Sequence, residues 1–375
     1  DYDKESLIRE EYMVVTVHDG YIKRLPPSTY RAQNRGGRGI SATNTRDGDF
    51  LEHMFVALTH DYILFFTDKG KVYWLKVYDV PVQTRTSGGR AIVNLLQLGE
   101  GERITGLIPV REFNEDECLM MVTRRGTVKK TDLTAFKRPL GKGIIALGLD
   151  DGDELIGVSR TRAGDHVLLS TKEGMAIRFD ESKVRSMGRP AHGVNGIDLS
   201  DGDEVVGMVV ANGDEDPATL LTVCGNGYGK RTALSEYRTQ NRGGKGLIDI
   251  KTTERNGPVV AIAKVVDSDE VMLTTTGGII IRTRVSDINL IGRNTQGVRL
   301  IKVDEGDFVG GLAKLPEEEL SDEEESGNTD EIDDSLAKLP AEGNGHTTHI
   351  LNDGVGLAEA SDHSDDIDGD GEPDA

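Results

Sequence analysis

Thr123-Arg124-Arg125-Gly126, with Lys129-Lys130 just beyond it, is one copy of a pattern that recurs along the chain: a short β-rich run, a turn glycine, then a strand carrying basic residues. Val17-His18-Asp19-Gly20 with Lys23-Arg24 and Thr171-Lys172-Glu173-Gly174 with Arg178 are two more copies. The turn glycines are Gly20, Gly70, Gly126, Gly174, Gly227 and Gly278, spaced 48 to 56 residues apart. A Gly-rich loop follows each of them, ending at Gly39, Ala91, Gly143, Gly196, Gly246 and Gly297. An acidic turn then precedes an apolar strand around Gly48, Gly101, Gly152, Gly202, Gly257 and Gly306, as in Asp151-Gly152-Asp153-Glu154-Leu155-Ile156. Three anchors in one order, six times over, define a repeat of about fifty residues, the length of a four-stranded propeller blade.

The segments between glycines are short, β-branched and partly alternating, as in Tyr12 to Val17, His166 to Ser170 and Gly278 to Thr283, and no capped 3.6-residue periodicity interrupts them. Asp-Gly and Asn-Gly turns supply the positive φ that tight hairpins need. The expected fold is all-β, with six four-stranded sheets packed radially so that few edges stay open. Residues 1–10, charged and poor in β formers, read as a linker from a preceding part, and 11–315 as the repeat body. The chain begins at Asp1, which suggests a piece of something longer.

The 375 residues carry a net charge of −21, a balance that would ordinarily argue against a nucleic-acid partner. The charge is uneven. Residues 316–375 hold 21 acidic residues and one basic one, Lys338, which leaves 44 acidic and 43 basic residues in the body. With runs such as Asp322-Glu323-Glu324-Glu325 and almost no aromatics, the stretch cannot bury enough apolar surface to offset its ordering entropy, so a disordered acidic tail is expected. Tethered beside a basic surface, such a tail would either compete with phosphate or serve only as a solubilising segment. Apolar stretches are as short as Tyr62 to Phe66, so no transmembrane helix or secretory leader fits and no membrane partner is expected. Cys118 and Cys224 form no CxxC pair, and two buried thiols in a reducing cytosol are expected rather than a zinc or disulfide site.

Two loops of the second anchor differ from the rest: Gln33-Asn34-Arg35-Gly36-Gly37-Arg38-Gly39 and Gln240-Asn241-Arg242-Gly243-Gly244-Lys245-Gly246. Glycines let backbone N–H groups approach an anion closely, and the flanking cations supply charge. One such loop alone is more readily a hairpin with solvated charges; two in register with the repeat reverse that preference and point to phosphate. At these boxes the sequence resembles the C-terminal domain of the bacterial DNA gyrase A protein, whose signature is a Q-(R/K)-R-G-G-(R/K)-G box in the first blade of a six-bladed β-pinwheel. The resemblance covers about residues 11–315. Asn34 and Asn241 stand where the family usually has a basic or variable residue, so the resemblance does not by itself carry a cationic phosphate contact to that position of the first box. The second box, in the fifth repeat, looks like the actinobacterial pattern.

The resemblance implies a non-catalytic domain that wraps duplex DNA with a positive, right-handed crossing so that the whole enzyme introduces negative supercoils. It implies as partners the rest of the gyrase A protein and the gyrase B protein, in a heterotetramer, and a bacterial cytoplasmic location at the nucleoid. The chain itself would need no cofactor; ATP, Mg²⁺ and the nucleophilic tyrosine would belong to other parts. Beyond the boxes, the basic residues expected to meet DNA are Lys23, Arg24, Lys71, Arg85, Arg90, Lys129, Lys130, Lys137, Arg138, Lys142, Arg178, Lys183, Arg185, Lys230, Arg231, Arg282 and Arg293. Any one of them alone is as readily an ordinary surface charge.

Other readings are weaker. A topoisomerase IV domain would lack the intact first box. A protein-binding propeller of the WD40 or kelch kind would carry a Trp-Asp dipeptide per blade, and Trp74 is the only tryptophan. A propeller enzyme would cluster acids and bases on one face. The Asp-Gly-Asp turns at 47–49, 151–153 and 201–203 offer too few ligands for calcium, and Asp366 to Gly371 opens like an EF-hand loop but the sequence stops before its twelfth position.

Overall fold

Tyr62–Thr67 and Lys71–Lys76 run antiparallel across a turn at Gly70, whose φ is 70°. The run from Ile63 to Phe66 is fully buried although successive side chains of a strand point to opposite faces, so this hairpin is covered on both sides. Ile63 and Phe65 pack with Val15 and Val17 of the preceding repeat, whereas Leu64 and Phe66 pack with Leu119 and Met121 of the next. That division repeats along the chain, and it makes the core a series of apolar layers between sheets.

In the computed structural model, the described residues are 4–18, 20–26, 51–84, 87–138 and 140–314. The first box, Arg85 and the acidic tail lie outside them. Blade 1 consists of Leu51–Leu58, Tyr12–His18, Tyr21–Leu25 and Arg90–Ala91, in that order across the sheet. Blades 2 to 5 follow the same plan, and their outermost strands are Ile144–Ile145, Val194–Asn195, Leu247–Ile248 and Val298–Arg299. Each outermost strand belongs to the Gly-rich loop of the following repeat. Blade 6 holds Val309–Lys314, Glu270–Thr275 and Ile280–Arg284, with no fourth strand among the described residues. The strands at the other edge pack side by side, and Val309–Lys314 lies against Leu51–Leu58 of blade 1. The architecture is a six-bladed β-propeller of antiparallel sheets, as the repeat predicted.

The six turn glycines all have positive φ, and so do Gly101, Gly152, Gly202, Gly257 and Gly306 of the acidic turns. In the Gly-rich loops the residues before the outermost strands are Gly89, Gly143, Gly193, Gly246 and Gly297, all with positive φ. Ala91 and Gly196, expected as equivalents, therefore lie two and three residues past the true register. The acidic turns serve hairpin chemistry: Asp153 Oδ1 accepts the N–H groups of Arg125 and Glu154, and Asp203 Oδ1 those of Glu173 and Glu204. Residues 4–10, expected as a linker, are tied to the body: Glu5 pairs with Lys76 at 2.9 Å, and the Arg9 carbonyl accepts from Thr59 Oγ1 at 2.8 Å. Cys224 is buried, as expected, while Cys118 is half-buried; burial pushes the thiols up to about 12 and about 11.

A matched pair of glycines separates backbone strain from close approach. Gly174 (φ 86°) has no room for a Cβ, which would stand 2.2 Å from the Ile250 carbonyl oxygen, whereas Gly164 (φ 89°) faces open space. Gly164→Ala should cost about 1 kcal/mol of unfolding free energy from strain alone. Gly174→Ala should cost about 2 kcal/mol more, because the next repeat's loop is pushed off the blade. Denaturant midpoints of the two variants check this, and equal losses would contradict it.

Candidate nucleic-acid interface

The third and fourth residues after each turn glycine are Lys23-Arg24, Tyr73-Trp74, Lys129-Lys130, Ile177-Arg178, Lys230-Arg231 and Ile281-Arg282. Sequence reasoning placed the cations of this set on DNA; the structure turns most of them inward. At the third position Lys23 is 2% exposed and Lys129 and Lys230 are fully buried. Lys23 Nζ donates to the Ser87 carbonyl at 2.7 Å, Lys129 Nζ to the Ala146 carbonyl at 2.7 Å and to that of Arg189, and Lys230 Nζ to the Arg293 carbonyl at 2.7 Å and the Gly292 carbonyl at 3.0 Å. Ser87, Arg189, Gly292 and Arg293 lie in the Gly-rich loop of the next repeat, and Ala146 follows the Gly-rich loop of the repeat that holds Lys129.

The fourth position grips the short 3-10 turn of the next repeat. Arg24 Nε donates to Val80 O at 2.7 Å, Trp74 Nε1 to Phe136 O at 3.0 Å, Arg178 Nη1 to Leu234 O at 2.9 Å and Arg231 Nε to Ile288 O at 2.8 Å; Lys130 pairs with Glu181. Lys23, Arg24, Lys129, Lys130, Arg178, Lys230 and Arg231 are therefore withdrawn from the expected contact set. A buried cation must be hydrogen-bonded, and these meet carbonyls that an irregular loop leaves free. Arg282 is exposed, but it pairs with Glu270 of its own blade, and Lys71 is half-buried at a strand start.

Besides Arg282, six expected residues outside the boxes are exposed: Arg90, Lys137, Arg138, Lys142, Lys183 and Arg185. Arg293 is half-buried. Arg90 opens the outermost strand of blade 1, and the others lie on the loops and turns of the outer edge. Counting four residues back from Gly89, Gly143, Gly193, Gly246 and Gly297 gives Arg85, Pro139, Arg189, Arg242 and Arg293. Arg189 was missed because the fourth loop was read three residues out of register. Each described arginine of this series donates Nη1 to the last residue of the preceding outermost strand: Arg189 to Ile145 O at 3.4 Å, Arg242 to Asn195 O at 3.0 Å, and Arg293 to Ile248 O at 3.0 Å.

The fifth-repeat box is thus a seam as well as a cationic loop. Gln240 N donates to Arg178 O at 2.8 Å, Gly243 N to Gly196 O at 2.7 Å, and Gly244 O accepts from Asp198 N at 2.9 Å. A Cβ on Gly246 would stand 2.4 Å from the Ala176 carbonyl oxygen, so that glycine serves the approach of blade to loop rather than of backbone to anion. Asn241 and Lys245 are exposed. Arg242 Nε also donates to Lys183 O at 2.9 Å, which aims its guanidinium across a surface cavity of about 420 Å³ lined by Ser182, Lys183, Arg185, Val194 and Arg242. Three cations on one hollow, with a single hydroxyl and one valine, suit a phosphate. Among the described residues no cluster of acids, histidines or cysteines could hold a metal ion, and no helix is long and apolar enough to cross a membrane.

Six blades, five of them closed among the described residues by an outer strand from the following repeat, and a cationic outer edge define a particular class of β-propeller. The profile described as "DNA gyrase C-terminal domain, beta-propeller" matches residues 13–57, 61–111, 119–162, 165–212, 219–265 and 269–314, one segment per repeat. The DNA gyrase A protein of Salmonella typhimurium is 49% identical over 339 residues, covering 90% of this chain and 38% of that protein. The DNA gyrase A protein of Staphylococcus epidermidis is 47% identical over 321 residues, covering 85% and 36%. A solved DNA gyrase A C-terminal domain superposes with a TM-score of 0.69 at 27% identity, over 82% of this chain and all of that one. The C-terminal domain of DNA topoisomerase IV gives 0.67 at 28%, over 82% and 94%, so the fold alone does not separate the two. The chain belongs to the DNA gyrase A C-terminal domain family, and it spans a little over a third of the length of these curated relatives.

Lys129 carries a pH signature of its role. Burial, with Arg189 nearby, pushes its ammonium down to about 8 from the ordinary 10.5. Between these values the unfolded chain holds the proton and the folded one does not, so unfolding free energy should rise with pH there, by up to about 3 kcal/mol. Urea titrations across pH 7.5 to 10.5 should show this rise in the parent and a flatter profile in Lys129→Met. Parallel profiles would mean that Lys129 is solvated.

Proposed function

We propose that the chain is the DNA-wrapping part of a gyrase: duplex DNA bends around the propeller's outer edge, held by phosphate contacts from the Gly-rich loops. The observation that carries this is the placement of Arg90, Lys137, Arg138, Lys142, Lys183, Arg185 and Lys245, exposed on the loops, turns and outermost strand that follow one another along the repeat. Half-buried Arg189, Arg242 and Arg293 stand at the seams between them. Contacts of this kind position DNA without reading its sequence.

The magnitudes agree. Bending a duplex smoothly through one turn over roughly 100 base pairs costs about 15–20 kcal/mol. Divided among six blades that is about 3 kcal/mol each, which two charge-assisted phosphate contacts of about 1.5–3 kcal/mol offset. A rigid ring is required, since a rim that yielded would relax before the DNA bent. In the whole enzyme, with the rest of the gyrase A protein and the gyrase B protein in a heterotetramer, a wrap of fixed sense presents one duplex for passage through another, and negative supercoils result. Strand cleavage, ATP and Mg²⁺ belong to parts outside this chain, in a bacterial cytoplasm at the nucleoid. The curated relatives favour gyrase over the topoisomerase IV reading. The acidic stretch 316–375 competes with phosphate for the same rim.

Salt dependence of duplex affinity tests this directly. The parent should bind long duplexes without sequence preference, with a log–log slope of about −0.9 per phosphate neutralised. Lys183→Ala/Arg185→Ala/Arg242→Ala should make the slope shallower by about two to three, and removing 316–375 should tighten binding most at low salt. A parent slope near zero, or equal affinity for very short and long duplexes, would contradict wrapping.

A further inference from the structure

Ile145 and Ile248 are the second residues of the two-residue strands that close blades 2 and 4. The same position holds Ala91, Asn195 and Arg299 in the other blades. Both isoleucines stand largely in solvent, at 52% and 41% exposure. Sheet edges are ordinarily protected by charge, so an exposed β-branched aliphatic there lacks the usual explanation. Each isoleucine is also the residue whose carbonyl a rim arginine grips, Arg189 on Ile145 and Arg293 on Ile248. Leu140, 61% exposed, lies on the loop leading into Ile144–Ile145, and its carbonyl accepts from Gly143 N at 2.8 Å. Twice around the ring, therefore, a bare aliphatic side chain sits beside a half-buried guanidinium.

A surface that pairs apolar side chains with guanidinium groups fits a ligand that is anionic and apolar together. Phosphates alone offer no apolar partner. The minor groove of a duplex does: its walls are deoxyribose C–H groups, its potential is negative, and in wrapped DNA it turns toward the protein about once every 10 base pairs. On the reading of the rim as a DNA-wrapping surface, we propose that Ile145 and Ile248 pack against the minor-groove walls of the wrapped duplex where Arg189 and Arg293 enter it. The arginine supplies attraction that salt screens; the isoleucine supplies a contact that salt does not. The wrap is thereby registered so that a minor groove faces inward at blades 2 and 4.

The test uses the 375-residue chain with Ile145→Ser/Ile248→Ser, beside Ile145→Val/Ile248→Val. Both side chains lie outside the packed layers, so unchanged thermal midpoints are expected and confirm that the variants fold. The Ser pair should weaken long-duplex binding about tenfold at every salt concentration while keeping the parent's slope, and the Val pair should bind nearly as the parent does. Dimethyl sulfate footprinting should show adenine N3, in the minor groove, protected at phased positions by the parent and not by the Ser pair. Unchanged affinity of the Ser pair at every salt, or protection of guanine N7 in place of adenine N3, would overturn the proposal while leaving the phosphate belt standing. A near-zero slope in the parent would instead overturn the wrapping reading on which the proposal rests.

Discussion

A glycine pressed against the strand of the preceding blade, with no space for a Cβ, is the contact on which the ring depends. A Cβ at Gly89, Gly193, Gly246 or Gly297 would stand 2.9, 2.5, 2.4 or 2.6 Å from a backbone carbonyl oxygen of the previous repeat. Each of these glycines is followed by the two-residue strand that completes that earlier sheet. Without the close approach the fourth strand could not pair, the sheet edge would stay open, and the loop bearing the rim cations would have no fixed position. Fold and interface thus share one piece of backbone.

The buried cations complete this arrangement from inside. An irregular loop leaves carbonyls without strand partners, and a lysine or arginine reaching across the seam donates to several of them at once. Lys230 and Asp249 take this furthest, both fully buried, with the Asp249 carboxylate also accepting from Thr222 Oγ1 at 2.8 Å. Removing either charge would leave the other uncompensated in the interior. The same residue types outside the seam face water and are free to meet phosphate. A basic residue in this repeat therefore holds a seam, faces water on the rim or, like Arg189, Arg242 and Arg293, stands at both.

The six-fold repeat was legible in the sequence because glycine spacing and apolar runs report local backbone needs, and those needs hold whatever the blade packs against. The exchange of outer strands was not legible, since a two-residue strand such as Leu247-Ile248 has no periodicity. For the same reason Lys129 and Arg178 read as surface charges: a cation after a turn glycine looks the same in sequence whether it points at water or at a carbonyl some sixty residues away, as in Arg178 to Tyr237. Arg242 was identified by its box, and Arg189 was not, because Pro190-Ala191 replaces the two glycines and His192 the lysine that made the box visible. Only the structural register unites the two.

Lysine reactivity, read by mass spectrometry with and without a long duplex, tests most directly the claim that the Gly-rich loops hold DNA while the strand cations hold blades. The account predicts that DNA protects Lys137, Lys142, Lys183 and Lys245. It predicts that buried Lys129 and Lys230 are unreactive in both states, and that Lys172, exposed on a hairpin turn whose N–H is bonded to Glu204 O in an acidic turn, stays reactive throughout. Protection of Lys172 with the rim lysines still reactive would contradict it.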